Sequence, residues 1–501
     1  TGKLEYYEKL KESIPSGVIE LLNISEVGPK TAKLLYEELG VDNIEKLEKA
    51  VRQHQIKDLP GMGEKSEDNI LRGIELYKRR KERVLLGLAL PLAEEIVKSL
   101  SRLDETDKIS FAGSLRRKKE TIGDIDILVT SQKPEKIMKT FTSLPQVREI
   151  LAEGPTKSSV ITRDDIHVDV RVVEPISFGA ALQYFTGSKA HNIRLRESAV
   201  KRGLKINEYG VFDQKTEHRI TGKEEEEVYR ILDLPFIPPE LREDRGEIEA
   251  AQESRLPRLV EYPQIKGDLH LHSKWSDGAH TIRQMAEAAK ERGYKYIAIT
   301  DHSQSLKFAG GLTEERLRKQ VEEIQKLNQE LDDFTVLTGI EVDIKSDGSL
   351  DFSDEILSKL DVVVAAIHSG FKQESKIITE RIVKAMQNKL VSIIAHPTGR
   401  LIGFRESYQV DINEMIKVAA ETGTILEINA HPERLDLNDV YCRMAKDKGV
   451  QLAIETDAHS IDGLEFMNLG VDVARRGWLE EKDIVNALPL DKLFKRLKRK
   501  L

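Results

Sequence analysis

The chain has 501 residues, with 78 Lys+Arg against 86 Asp+Glu and a net charge of −8. That length exceeds what one hydrophobic core fills and calls for several domains. No apolar run approaches the ~18 residues of a bilayer span, no secretory leader pattern opens the chain, and a single cysteine, Cys442, excludes an internal disulfide and fits a reducing cytoplasm. The overall acidity speaks against a uniformly basic nucleic-acid binder, but charge is local. Residues 51–205 hold 29 Lys+Arg against 22 Asp+Glu, and a basic stretch in an acidic chain suits DNA binding along one face as well as it suits a solvated surface.

Residues 1–83 read as helices separated by short Gly/Pro turns. Ile24-Ser-Glu-Val-Gly-Pro-Lys-Thr-Ala32 and Leu59-Pro-Gly-Met-Gly-Glu-Lys-Ser66 each set a glycine turn before a helix. Such a turn aims backbone N–H groups from a helix N-terminus, a natural seat for DNA phosphate, although one alone is more often only a cap. The pair resembles tandem helix-hairpin-helix motifs, with Gly28, Lys30, Gly61, Gly63 and Lys65 as the implied DNA contacts and the basic run Lys78–Arg83 behind the second turn.

Residues 84–173 alternate helical segments with strand-like runs at Ile109–Ala112, Ile125–Thr130 and Ile166–Val173. Asp124 and Asp126 stand two apart, so a strand projects both carboxylates from one face; Asp169 repeats the alternation in another strand. Three converging carboxylates offer oxygen ligands to two Mg²⁺ or Mn²⁺ ions, the arrangement that stabilises both oxygens of an in-line phosphoryl displacement. The Gly113-Ser114 turn, with Arg116 and Arg117, adds donors suited to a triphosphate. Together these residues resemble the nucleotidyltransferase superfamily. The next segment, 174–234, carries Tyr184-Phe185-Thr-Gly187-Ser188, then Asn192 and Arg196, and resembles the nucleotide-selecting subdomain of family X DNA polymerases. That resemblance implies Tyr184 and Phe185 beside the incoming sugar, Asn192 at the base edge, and Arg196 on the template strand. It also implies Ser114 and Arg117 on the phosphates, with Gly123 offering its backbone. Ile122 stands where some relatives carry a hydroxyl residue, which implies one phosphate contact fewer. Prolines 235, 238 and 239 and the charged stretch that follows read as a linker over 235–263.

From residue 264 to 501 short apolar runs alternate with amphipathic helical segments, which predicts βα units and a parallel sheet closed into a barrel. Each run ends in polar residues, Asp301-His302, Glu341, His368, His396, Glu427 and Asp457, at the strand ends where barrel enzymes gather their chemistry. His270, His272, Asp277, His302, Glu341, His368, His396, Asp457 and His459 make nine candidate ligands. Mixed imidazole and carboxylate suits Mn²⁺, Zn²⁺ or Fe²⁺. The segments HLHSKWSDG, ITDHS, GIEVDI, IHSG, AHPTGR and TDAH resemble the PHP (polymerase and histidinol phosphatase) family, which implies a distorted (βα)7 barrel with up to three ions. By that resemblance His270, His272, Glu341 and Asp457 hold one ion, Glu341, His368 and His396 a second, and Asp277, His302 and His459 a third. Arg400 and Arg434 follow ligand-bearing segments and suit phosphate or a salt bridge equally.

The reading is a multidomain α/β protein: a helical DNA-binding region, a nucleotidyltransferase palm with a thumb-like subdomain, and a PHP barrel. The expected enzyme is a family X DNA polymerase filling short gaps in base-excision repair, with Asp124, Asp126 and Asp169 catalytic. The second half is expected to be a metal-dependent 3′-5′ exonuclease with 3′-end-processing or abasic-site activity. Its partners are gapped or primer-template DNA and dNTPs, with no membrane, and it is expected to act as a cytoplasmic monomer. The rival reading is a phosphoesterase acting on a small phosphate ester, with the polymerase half vestigial.

Overall fold

The computed structural model describes residues 16–24 and 27–497. The described residues form two compact units: those up to Val84 together with Arg400–Ser407, and Leu85–Gly399 with the residues from Tyr408 onward. In the first unit the helices Ser16–Glu20, Pro29–Leu39, Ile44–Arg52 and Glu64–Glu82 close over an apolar core that includes Leu21, Leu35, Leu47, Ile56, Ile70 and Ile74. Pro29 opens its helix, where its missing N–H costs nothing. Gly40, at φ +63, ends that helix in the left-handed conformation. Asn43 caps the next by accepting the Lys46 N–H at 2.8 Å. Residues 1–15, Ser25 and Glu26 of the first predicted turn, and the side chains of Arg79, Arg80 and Lys81 in the predicted basic run lie outside the described residues.

The second unit begins with a five-stranded sheet in the order Lys108–Phe111, Ile125–Thr130, His167–Val173, Lys157–Thr162, Val147–Glu153. Only the Ile125–Thr130 and His167–Val173 pair is parallel, and its register sets Asp126 directly opposite Asp169. In His167–Val173 the side chains alternate: Val168, Val170 and Val172 enter the core, while His167, Asp169 and Arg171 face the other side. The apolar face is covered by the helices Leu86–Ser101 and Pro134–Thr142. A thumb-like subdomain follows, with helices Phe178–Thr186 and Lys189–Val200 and a three-stranded antiparallel meander over residues 204–221.

The segment 235–263, expected to be a linker, is packed instead. Ile237, Leu241, Ile248, Ala250, Ala251 and Leu259 share a core with Tyr229 of the thumb and Trp478 of the barrel half. Several of its charges are paired with residues outside the segment, which their density along the chain conceals. Fully buried Arg242 donates to Glu225 at 2.6 Å and to the Ile237 carbonyl at 2.8 Å. Fully buried Glu247 bonds His191 at 2.7 Å and accepts the N–H groups of Asp244 and Arg245.

The C-terminal half is a seven-stranded parallel sheet whose spatial order follows the sequence: Gly267–Leu271, Tyr296–Ile299, Thr335–Asp343, Val362–Ala366, Ile393–Ile394, Ile425–Asn429 and Leu452–Glu455. The ends meet through a bridge between Leu271 and Ala458 and a 2.6 Å bond from Thr456 Oγ1 to Asp268, giving a nearly closed barrel. Helices on one side and a filled interior on the other bury these strands on both faces, which is why they read as continuous apolar runs. Among the described residues, no helix is long and apolar enough to cross a membrane.

Candidate functional site

In the palm the predicted carboxylates converge. Asp124 precedes the strand Ile125–Thr130 instead of lying within it, yet it keeps the two-residue spacing from Asp126. Asp126 lies across the parallel register from Asp169. Burial, reinforced by the charges of Asp124 and Asp169, pushes the Asp126 carboxyl up to about 7. A group so placed demands a cation or a proton. Burial would raise Asp169 as well, but hydrogen bonds from Lys157 (2.8 Å) and Ser159 (2.5 Å) hold it below its usual range.

Gly113 explains its own identity. Its φ is +61, and a Cβ there would stand 2.4 Å from Asp126 Oδ2. Only glycine permits this approach of backbone to carboxylate. Ser114 follows in the short helix Gly113–Arg116. Arg116 forks onto Glu225 at 2.7 and 2.6 Å, a structural pair, whereas Arg117 donates to Glu243 at 3.0 Å and to the Thr186 carbonyl at 2.5 Å. Tyr184 and Phe185 meet edge to face with centroids 5.2 Å apart, and the Arg171 guanidinium lies 4.7 Å from the Phe185 centroid. Gly187, at φ +66, ends their helix. Asn192 is buried, accepting from Gln183 and donating to the Tyr184 carbonyl, both at 2.7 Å, so a base-edge contact requires these bonds to be exchanged. Arg196 is exposed on the same helix, and Gly123 is half-buried. In the helical unit Gly28 and Gly63 precede the helices Pro29–Leu39 and Glu64–Glu82, Gly61 adopts φ +76, and Lys30 and Lys65 are exposed.

At the barrel mouth Glu341 sits among five imidazoles. Its Oε1 lies 3.0 Å from His396, 3.3 Å from His368 and 3.6 Å from His270; its Oε2 lies 2.5 Å from His302 and 3.8 Å from His272. Three groups have mutually close ligand atoms: His270, His272 and Asp457; His302, Glu341 and His368; and His272, Asp277, His302 and His459. These groups hold eight of the nine predicted side chains, and the ninth, His396, meets the site through Glu341; His302 stands with Glu341 and His368 where His396 was expected, and His272 joins Asp277, His302 and His459. His396 and Asp457 adopt φ +28 and +53, a strained backbone that their surroundings hold in place.

The donor chemistry fits metal ions. Buried His270 Nε2, both nitrogens of His272, His368 Nδ1 and His396 Nδ1 lack hydrogen-bond partners among the described residues, a condition that native structures rarely tolerate without a water or an ion. Burial opposes ionisation of Glu341 and Asp457, but the surrounding imidazoles hold both well below the usual carboxylate range. Burial and the neighbouring imidazoles His459 and His302 push His272 down to about 3, leaving it neutral with a free lone pair.

Sequence reasoning assigned no role to the supports beneath these side chains. Glu427, fully buried, accepts a hydrogen bond from His270 Nδ1–H at 2.7 Å and another from the His396 backbone N–H. A carboxylate there fixes the tautomer that turns His270 Nε2 toward the site. Asp343 accepts the His368 backbone N–H at 3.2 Å. Glu455 joins His270 and Glu427 in a fourth close group. Burial first, then the nearby Glu427, push the Glu455 carboxyl well above its usual range. The visible signal was a carboxylate inside an apolar strand run, as in Ile-Leu-Glu427-Ile and Ala-Ile-Glu455-Thr.

Family models match the chain in the same divisions: a SAM-like helix-hairpin-helix tandem at 18–75, a DNA polymerase beta palm at 90–171, a DNA polymerase beta thumb at 181–243, and a PHP domain at 268–431. Over 500 residues the chain is 45% identical to the DNA polymerase/3'-5' exonuclease PolX of Bacillus subtilis (strain 168), covering 99% of this chain and 87% of that protein. The chain belongs to the PolX family. The chain is also 29% identical over 244 residues to a probable phosphatase of Thermoanaerobacter sp. (strain X514), covering 46% of this chain and 94% of that one. A crystal structure of Leishmania infantum polymerase beta in a ternary P/T complex, 20% identical, covers 46% of this chain and 99% of that one with a TM-score of 0.31. In this PolX-family chain Asp457 and His459 lie beyond the matched PHP segment, and the fold returns them to the site through the last strand.

Proposed function

We propose that this chain extends a primer 3′-OH across short gaps in DNA during base-excision repair and trims 3′ ends by phosphodiester hydrolysis in its barrel. The observation that carries the reading is the presence on one chain of two separate clusters suited to divalent cations. One is Asp126 opposite Asp169 beside the Gly113 turn, the other Glu341 among five imidazoles. Divalent cations at Asp124, Asp126 and Asp169, Mg²⁺ or Mn²⁺, would supply charge stabilisation to the entering and leaving oxygens. Gly113 leaves room for the Asp126 carboxylate, and the first-turn N–H groups with Ser114 present donors to a triphosphate. Arg117 completes that cradle once it leaves Glu243. Tyr184 and Phe185 flank the sugar, and exposed Arg196 reaches the template. With Lys157 and Ser159 lowering its basicity, Asp169 suits a ligand better than a lone proton acceptor.

In the barrel, the sets His270, His272, Glu341 and Asp457; Glu341, His368 and His396; and Asp277, His302 and His459 would hold Mn²⁺, Zn²⁺ or Fe²⁺, with Glu341 shared. Gapped duplex DNA with dNTPs is the substrate to test, with a small phosphate ester as the alternative. Asp124→Ala with Asp126→Ala abolishes extension and spares degradation, while His368→Ala does the reverse. Loss of both activities in either variant, or hydrolysis of the small ester alone by wild type, overturns the proposal.

A further inference from the structure

A buried chain of charges ties the phosphate-binding turn of the palm to the barrel half. Arg476, at the end of the barrel helix Met467–Arg476 and only 4% exposed, donates to the Arg117 backbone carbonyl at 2.7 Å and to Asp439 at 2.7 Å. It also donates to Glu243 Oε1 at 3.0 Å, the same oxygen that accepts Arg117 Nε at 3.0 Å. Glu243 thus stands between two guanidiniums, one from each half of the chain. Burial would raise its carboxyl, but Arg476 first, then Arg117 and Lys119, hold it below its usual range. Arg117 is simultaneously bonded to the Thr186 carbonyl, immediately before Gly187.

We propose that Arg476 is a positioning residue for nucleotide binding: by sharing Glu243 it sets how readily Arg117 is released to an incoming nucleoside triphosphate. This rests on the reading of Arg117 as a triphosphate contact. An anionic triphosphate reaches the Arg117 guanidinium in competition with Glu243. If Arg117 left a Glu243 that had no second cation, a buried carboxylate would stand uncompensated, which is costly. Arg476 keeps it compensated, so release is cheap. The barrel half therefore contributes a charge to the polymerase reaction without touching substrate.

The sign of each substitution follows. Removing the second hydrogen-bonded cation, Arg476→Met, leaves Glu243 bonded to Arg117 alone, with Lys119 acting only through its charge, and raises KM for dNTP about tenfold with a smaller change in kcat. Arg476→Lys keeps the compensating charge and stays near wild type. Glu243→Gln frees Arg117 and lowers KM. Combined with Arg476→Met it cancels the defect, which a general loosening of the interface would not do. The assay is steady-state single-nucleotide insertion on gapped DNA at saturating DNA, with barrel nuclease rate and thermal melting as folding controls. Should Arg476→Met not fold, the lowered KM of Glu243→Gln and the near-normal KM of Arg476→Lys still decide the matter. A raised KM in Glu243→Gln, a defect in Arg476→Lys equal to that of Met, or no rescue in the double variant overturns the inference. Arg117→Ala separates the two levels. An unchanged KM there refutes the Arg117 reading itself, whereas a raised KM alongside a normal Arg476→Met refutes only the role of Arg476.

Discussion

Gly113→Ala tests the palm geometry with the smallest perturbation available, a single methyl group. At φ +61 an alanine costs about 1–2 kcal/mol in backbone strain. Its Cβ would fall 2.4 Å from Asp126 Oδ2, about 1 Å short of ordinary contact. Asp126 lies in a strand registered against Asp169, so the backbone cannot yield easily; the carboxylate must rotate away. A displacement near 1 Å at a reacting centre costs about 100-fold in rate, or about 2.7 kcal/mol. Single-turnover insertion of one nucleotide on gapped DNA with Mg²⁺ reads this directly, with thermal melting to show the modest stability loss and barrel nuclease activity as the internal control. A folded Gly113→Ala protein that inserts within threefold of the wild-type rate would refute the claim that Gly113 is required by its approach to Asp126.

Glu427→Gln replaces an acceptor that serves both His270 Nδ1–H and the His396 backbone N–H. The amide offers one acceptor oxygen where two are used, so metal affinity in the barrel drops about 10–100-fold. Metal content after dialysis against a graded chelator measures this, and retention equal to wild type contradicts the tautomer argument. Asp472 gives a pH prediction. Burial raises its carboxyl to about 6 against the partial relief of Lys118 at 3.3 Å. Because its folded value exceeds the unfolded one, the native state binds the extra proton, and this group's destabilisation appears as pH rises from about 4 to about 6. Asp472→Asn is therefore as stable as wild type near pH 4 and more stable above pH 6, by about 3 kcal/mol at most. Urea denaturation of both proteins across that range checks it; a pH-independent difference rules it out.

Much of this was legible in the linear chain because two kinds of signal are local. Carboxylates or imidazoles two residues apart on a strand must share a face, and the alternation of apolar runs with amphipathic segments sets a parallel barrel. Asp124 and Asp126, and His270 and His272, keep that two-residue spacing across a strand end, and Asp457 and His459 keep it just past one, so the pairing is visible in the sequence although only Asp126 and His270 lie within strands. The segment 235–263 misled because Arg242, Glu243 and Glu247 look solvent-directed in a row of charges, whereas their partners Glu225, Arg476 and His191 lie elsewhere in the chain. Glu427 gave a visible anomaly, a carboxylate in a buried strand, but nothing in its neighbours named His270, which lies 157 positions away.

The sequence by itself determined where metal-ligating side chain types cluster and where glycine turns precede helices, since spacing within an element dictates which way side chains point, and its motifs carried the family resemblance of each half. Only the tertiary structure decided which side chains meet: Asp126 against Asp169 by strand register, Glu341 inside a ring of histidines by barrel closure, and Arg117 held at Glu243 beside Arg476. Those pairings depend on which segments become neighbours when the apolar surfaces are buried, and burial is also what makes each unpaired charge expensive enough to need its partner.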